Sequence, residues 1–154
     1  MSSELDGLQE FILADARKIY SGTVIDHAMN PRNLGEMEGA DGFARITGPC
    51  GDTMEIWLKV NGNMIIGINF MTDGCGTSIA SGSIVTELAK GKNADEAQKI
   101  NRQDVLTALG ELPKESQHCA LLAANTLKAA IRDFIAMKKE PWKKAYRKHN
   151  SGQK

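Results

Sequence analysis

The chain carries three cysteines, and each has neighbours that suit a thiol meant to bind something. Cys50 lies in GPCGD, Cys75 in DGCGTS and Cys119 in SQHCA. Gly48 and Gly51 flank Cys50, while Gly74 and Gly76 bracket Cys75. Glycine admits unusual backbone angles and lets a bulky ligand approach the main chain. N–H groups freed in such turns also form anion-binding concavities. Cys119 falls in the first turn of a predicted helix, where unpaired N–H groups and the macrodipole favour an anion. Its pKa is therefore expected to fall, leaving more thiolate to bind metal or attack sulfur; the argument is weaker for Cys75 but has the same sign. Two other ligand types stand beside the thiols: Asp52, two residues after Cys50, and His118, directly before Cys119. Thiolate and imidazole suit both zinc and iron in sulfide clusters. A carboxylate is a harder ligand and holds such a cluster less firmly, which fits a site that releases its cargo. Permanent electron-transfer clusters usually have four cysteines. Taken singly, Asp52 reads equally as a turn residue and His118 as a hydrogen-bonded structural histidine. No CxxC pair occurs, so the usual zinc and ferredoxin spacings do not apply. A purely structural reading, with three buried thiols, leaves the glycines unexplained.

The elements that must position these residues follow from periodicity. Leu5, Leu8, Ile12, Ala16 and Ile19 recur at helical spacing, predicting an amphipathic N-terminal helix. VIDHAMN predicts a short second helix that stops at Pro31, since a residue before proline avoids the helical region. NPRNLGEMEGADG reads as a loop. Met54, Ile56, Leu58 and Val60 alternate with polar or amphipathic residues, and Ile66, Ile68 and Phe70 alternate again beyond the turn signal Asn61-Gly62-Asn63. GFARIT, at 42–47, adds a third antiparallel strand. Ile79, Ala80, Ile84, Val85 and Leu88 then form a helical stripe ending at Gly91. Asn93 and Glu96 form a capping arrangement for a short helix. Asp104 to Leu109 is a further helical piece closed by Gly110. The last long helix starts near Ser116, carries Leu121, Ala124, Leu127, Ala130, Ile131, Phe134 and Ile135 on its apolar stripe, and ends before Pro141. The predicted fold is α+β: a small three-stranded antiparallel sheet with helices packed on one face.

The totals are those of an ordinary globular chain. The 154 residues fit one domain, 1–154, with a core over about 20–137 and a basic tail over 139–154 read as a solvated, frayed end. Nineteen Lys plus Arg balance nineteen Asp plus Glu, so bulk charge gives no reason to expect nucleic acid as a partner. No apolar run has the length to cross a bilayer, so no membrane partner is expected. The opening MSSELDGLQEFILADARK does not read as a secretory signal. An odd number of cysteines argues against a secreted disulfide framework, so the expected compartment is the cytoplasm, with free thiols.

The motifs in order are YSGTVIDHAMNPRNLG, GPCGD, TDGCGTSIASGSIVTELAKGK, DEAQKI and LPKESQHCALLAANTLKAAI. Together they resemble the IscU/NifU-type iron–sulfur scaffold family over about Tyr20 to Met137. The resemblance implies that Cys50, Cys75 and Cys119 are cluster ligands and accept sulfur from a cysteine desulfurase. It implies that Asp52 makes the bound cluster labile, and that His118 is a ligand or a proton-handling group. It also implies the IscU/SufE-like form of the α+β fold, a transient 2Fe–2S cluster built from iron and sulfur, an electron donor such as ferredoxin, and delivery to apo iron–sulfur proteins or carriers. Family members can hold zinc in the same pocket. Members served by an Hsp70-type chaperone usually carry LPPVK; this chain has Leu112-Pro113-Lys114-Glu115-Ser116, so the resemblance does not extend to that chaperone.

The expected function is accordingly that of a scaffold or carrier, not an enzyme, with Cys119 the favoured sulfur acceptor. The alternative is a zinc-bound sulfur relay like the SufU branch, although the insertion usual in that branch between the second and third cysteine motifs is missing here. A thiol-dependent enzyme, with Cys119 as nucleophile and His118 as base, ranks below both. Adjacent residues at a helix start diverge by about 100°, which does not favour a direct bond between them.

Overall fold

The computed structural model describes residues 14–142. Helix α1 spans Gly22–Met29, followed by strands β1 (Gly42–Thr47), β2 (Thr53–Asn61) and β3 (Met64–Thr72). Helices α2 (Gly76–Ala89), α3 (Ala94–Ala97) and α4 (Arg102–Leu109) come next. A 3-10 turn, Lys114–Ser116, then leads into α5 (Gln117–Lys139). The three strands form an antiparallel sheet in the order β1-β2-β3, with helices packed on its buried face, as the alternation in the sequence predicts. The predicted N-terminal helix lies mostly outside the described residues, as does the basic tail beyond Trp142.

The alternation of β2 delivers Met54, Ile56 and Leu58 to the core, all fully buried. They meet Ala120, Ala123, Ala124, Leu127 and Ile131 of α5 in one apolar cluster. Complete burial of side chains of this size stabilises the fold by about 1.5–3 kcal/mol each. Small residues set the distance of approach. A Cβ on Gly42 would lie 2.6 Å from the Ala130 carbonyl oxygen and 2.9 Å from Phe134 Cβ, so the start of β1 sits directly under α5. The Asp133 carboxylate of α5 accepts the Phe43 N–H at 2.8 Å.

The sequence pattern misplaces three side chains among the described residues, and the first, Ile19 of the N-terminal stripe, lies in a turn and is exposed. The pairing of β2 with β3 passes from Lys59↔Gly67 to Val60↔Ile65 and leaves Ile66 as the extra residue of a bulge. Ile65 is therefore buried while Ile66, expected in the core, is exposed. In α5 the expected Leu121 is likewise exposed, and Leu122 takes the core position.

Helix α2 departs from a simple stripe. Ser78, Ser81, Ser83 and Thr86 are completely buried along with its apolar residues. The hydroxyls of Ser81, Ser83 and Thr86 are satisfied locally or by the segment before the sheet, and that of Ser78 by Asp52 in the β1–β2 connection. Ser81 donates to the Thr77 carbonyl and Thr86 to the Ser83 carbonyl, both at 2.7 Å. Ser83 Oγ lies 2.7 Å from His27 Nδ1 and accepts the Arg32 N–H at 2.9 Å. The Asn33 amide donates to Thr86 Oγ1 at 3.0 Å. The same segment then runs beside β3: the Phe70 N–H donates to the Asn33 carbonyl, and the Gly35 N–H to the Phe70 carbonyl, both at 2.9 Å. At the other end of β3, the Ile65 N–H donates to the Lys92 carbonyl and the Gly91 N–H to the Ile65 carbonyl.

The remaining helices end where capping rules place their ends. Ser21 caps α1, accepting the Val24 N–H at 3.1 Å and donating to the Leu109 carbonyl of α4. Asn93 accepts the Glu96 N–H, and Asn101 forms a reciprocal capping box with Asp104. Gly110 closes α4 in the left-handed conformation, at φ 75°.

Candidate metal and sulfur centre

The three thiols sit at three junctions of this frame. Cys50 occupies the tip of the β1–β2 connection. There the Gly51 N–H donates to the Gly48 carbonyl at 3.0 Å, and the Gly48 N–H to the Asp52 carbonyl at 2.8 Å. Pro49 suits the second position of this tight turn, and Gly51 supplies the required positive φ of 91°. The turn leaves Cys50 exposed. Cys75 is the N-cap of α2 and is also exposed. Cys119 is the third residue of α5 and is 1% exposed, below the other two thiols in accessibility.

Two groupings join the five candidate residues. The ligand atoms of Cys50, Asp52 and His118 all lie within 4.8 Å of one another. A tetrahedral ion with bonds of about 2.0–2.3 Å sets its ligand atoms about 3.3–3.8 Å apart, so modest side-chain rotation brings this thiolate, carboxylate and imidazole onto one ion. The donor set thus fits iron or zinc. The second grouping links the other thiols through hydroxyls. Thr77 Oγ1 lies 3.1 Å from Cys75 Sγ and 3.4 Å from Cys119 Sγ. Ser78 Oγ lies 3.4 Å from Cys119 Sγ and donates to Asp52 Oδ2 at 3.0 Å, which connects the two groupings. His118 Nε2 is 3.6 Å from Cys119 Sγ, so these adjacent side chains do approach each other.

The thiols differ in how readily they ionise. The Thr77 hydroxyl holds the Cys75 thiol below its ordinary range against the opposing effect of burial. The backbone N–H groups of Thr77 and Ser78 at the helix start act in the same direction, although no capping hydrogen bond is formed. The Cys119 thiol goes the other way. Burial pushes it up, and the hydroxyls of Ser78 and Thr77 offset this only in part. The expectation that a helix start lowers the Cys119 pKa is therefore corrected: loss of hydration outweighs the helix terminus.

Thr77 and Ser78 have no place in the sequence reading, yet they touch two thiols and the carboxylate. Their signal was present in the GCGTS run, where two hydroxyl residues follow a thiol at a helix start.

The comparisons agree with this frame. A protein of Archaeoglobus fulgidus named iron-sulfur cluster assembly scaffold protein IscU 1 is 50% identical over 118 residues, 76% of this chain and 77% of that protein. The protein named iron-sulfur cluster assembly scaffold protein IscU in Escherichia coli is 48% identical over 120 residues, 75% of this chain and 93% of that protein. Among solved structures, the N-terminal part of a nitrogen-fixing NifU-like protein from Brucella abortus has the same fold, with a TM-score of 0.62 at 20% identity over 77% of this chain and 95% of that one. Residues 19–141 match the family described as NifU-like N terminal domain, and the chain belongs to that family.

Proposed function

We propose that this chain is a scaffold on which iron–sulfur clusters are assembled and from which they are released. The observation that carries the reading is the meeting of Cys50, Asp52, Cys75, His118 and Cys119 through the ligand group and the hydroxyl links. Relatives up to 50% identical that bear the scaffold name support it. Iron and sulfur are the cargo. Cys50, Asp52 and His118 receive the ion, and Cys75 and Cys119 complete the sulfur ligands. In sulfur acceptance, a scaffold thiolate attacks the outer sulfur of a cysteine desulfurase's persulfide. A new S–S bond forms on the scaffold, the desulfurase's S–S bond breaks, and its cysteine leaves as thiolate. Two electrons from a donor such as ferredoxin then reduce the transferred sulfur to sulfide, and a 2Fe–2S cluster forms for transfer to an apo-protein or carrier. Cys75, exposed and more readily ionised, is the thiol ready for this attack in the arrangement described; Cys119, favoured from the sequence, needs the corner to open first.

Anaerobic reconstitution with iron and a sulfide source tests the reading. Wild-type protein takes up cluster, and Cys50→Ala, Cys75→Ala and Cys119→Ala each take up less. Equal uptake by all four proteins would remove the proposal.

A second reading, the zinc-bound sulfur relay, draws support from the same three-ligand group, which needs only one more thiolate to close a tetrahedral zinc site. Under it, desulfurase stimulation depends on stoichiometric zinc and no cluster accumulates. Cluster uptake by the zinc-free protein decides for the scaffold.

A further inference from the structure

Ser78 is fully buried, and its hydroxyl stands between the Asp52 carboxylate, at 3.0 Å, and Cys119 Sγ, at 3.4 Å. A hydroxyl has a single proton to give, and a carboxylate is the stronger acceptor of the two. Gly74 keeps the space for this bond open. A Cβ there would lie 2.6 Å from Ser78 Cβ and 2.8 Å from Asp52 Oδ2, and closer still to Ser78 Oγ. Asp52 itself belongs to the exposed loop that carries Cys50, whereas Ser78 belongs to the buried face of α2. The bond thus ties a loop carboxylate to a buried helix face.

We propose that Ser78 is a positioning residue that fixes one oxygen of Asp52, so that the carboxylate faces Cys50 and His118 as a ready third ligand for a divalent ion. Without the hydroxyl, Asp52 must be ordered by the arriving ion itself. Partners that hold ligating carboxylates typically change metal affinity by about 10–100-fold when removed. The inference rests on the scaffold reading only for the nature of the cargo, because the ion site can be probed alone.

The test is anaerobic titration of the metal-free full chain with Co(II), read by its d–d and thiolate charge-transfer absorption. Ser78→Ala should weaken Co(II) binding by about 10-fold or more in the wild-type background and cause no further loss in an Asp52→Ala background. Gly74→Ala, which displaces the same pair from the other side, should behave alike. A Co(II) affinity for Ser78→Ala within about twofold of wild type overturns the assignment, and so does a loss of the same size in the Asp52→Ala background. Failed cluster reconstitution with the Ser78–Asp52 coupling intact would remove the scaffold reading and keep this one. Normal reconstitution without the coupling would do the reverse.

Discussion

Two thiols that both sit at helix starts ionise in opposite directions, because one keeps its water and the other loses it. The macrodipole and free N–H groups favour thiolate at either place. Cys75 adds a hydroxyl donor and stays exposed, while Cys119 is 1% exposed and its burial dominates. In the metal-free protein, alkylation by iodoacetamide across a pH series should label Cys75 at lower pH than Cys119, since only thiolate reacts. Peptide mapping reads the order, and prior labelling of Cys119 would contradict the burial argument. Residue types and glycine punctuation made the ligand candidates legible in the sequence. The depth of Cys119 was not legible, because burial depends on how α5 lies under the other junctions.

Elements were read well where local rules govern them and poorly where packing does. The cap at Asn93 and the left-handed Gly110 are local, and each stands where the sequence places it; the capping box at Asn101 is just as local but starts its helix two residues before the predicted Asp104. The bulge at Ile66 shifts which side chain faces inward without any change of composition, so alternation alone could not find it. The buried hydroxyls of α2 look like surface residues in sequence and are satisfied by bonds within the helix, with His27, Arg32 and Asn33, and, for Ser78, with Asp52. The same helix carries Gly82 against the Phe70 ring, where a Cβ would lie 3.1 Å from Cγ and closer still to the ring edge. Gly82→Ala gains about 1 kcal/mol of helix propensity but overpacks a fixed ring at about 1–3 kcal/mol. A lower midpoint of urea unfolding is expected, and a raised one would show that the ring can yield.

His27 ties α1 to α2, and burial, aided by the nearby Arg32 charge, lowers its pKa below 6.5 against the weaker opposing pull of Asp26 and Glu87. The unfolded chain therefore binds a proton more readily than the folded one. This contribution to stability is complete above the unfolded value and is lost as pH falls from about 6.5 toward the depressed folded value. Urea midpoints measured from pH 7.5 to 5 should decline in wild type and decline less in His27→Gln. Parallel acid slopes would assign the effect to other groups.

At the scale of the whole molecule, one packed frame carries a candidate site drawn from three separate junctions. In the proposed scaffold Asp52 would give that site an oxygen ligand, and a carboxylate grips sulfide-bridged iron less firmly than a thiolate does. Reconstituted Asp52→Ala should consequently keep its cluster longer than wild type when exposed to a chelator, followed by visible absorption. Equal or faster decay would deprive the carboxylate of its part in release.

The segments laid against both ends of β3 also bear on how other proteins can approach. A peptide that binds by lengthening a sheet needs a strand whose main chain is free. Here Phe70 is already claimed by Asn33 and Gly35 at one end, and Ile65 by Gly91 and Lys92 at the other. A visitor to that rim could not pair with Phe70 or Ile65 without first prising away a stretch of this chain's own backbone.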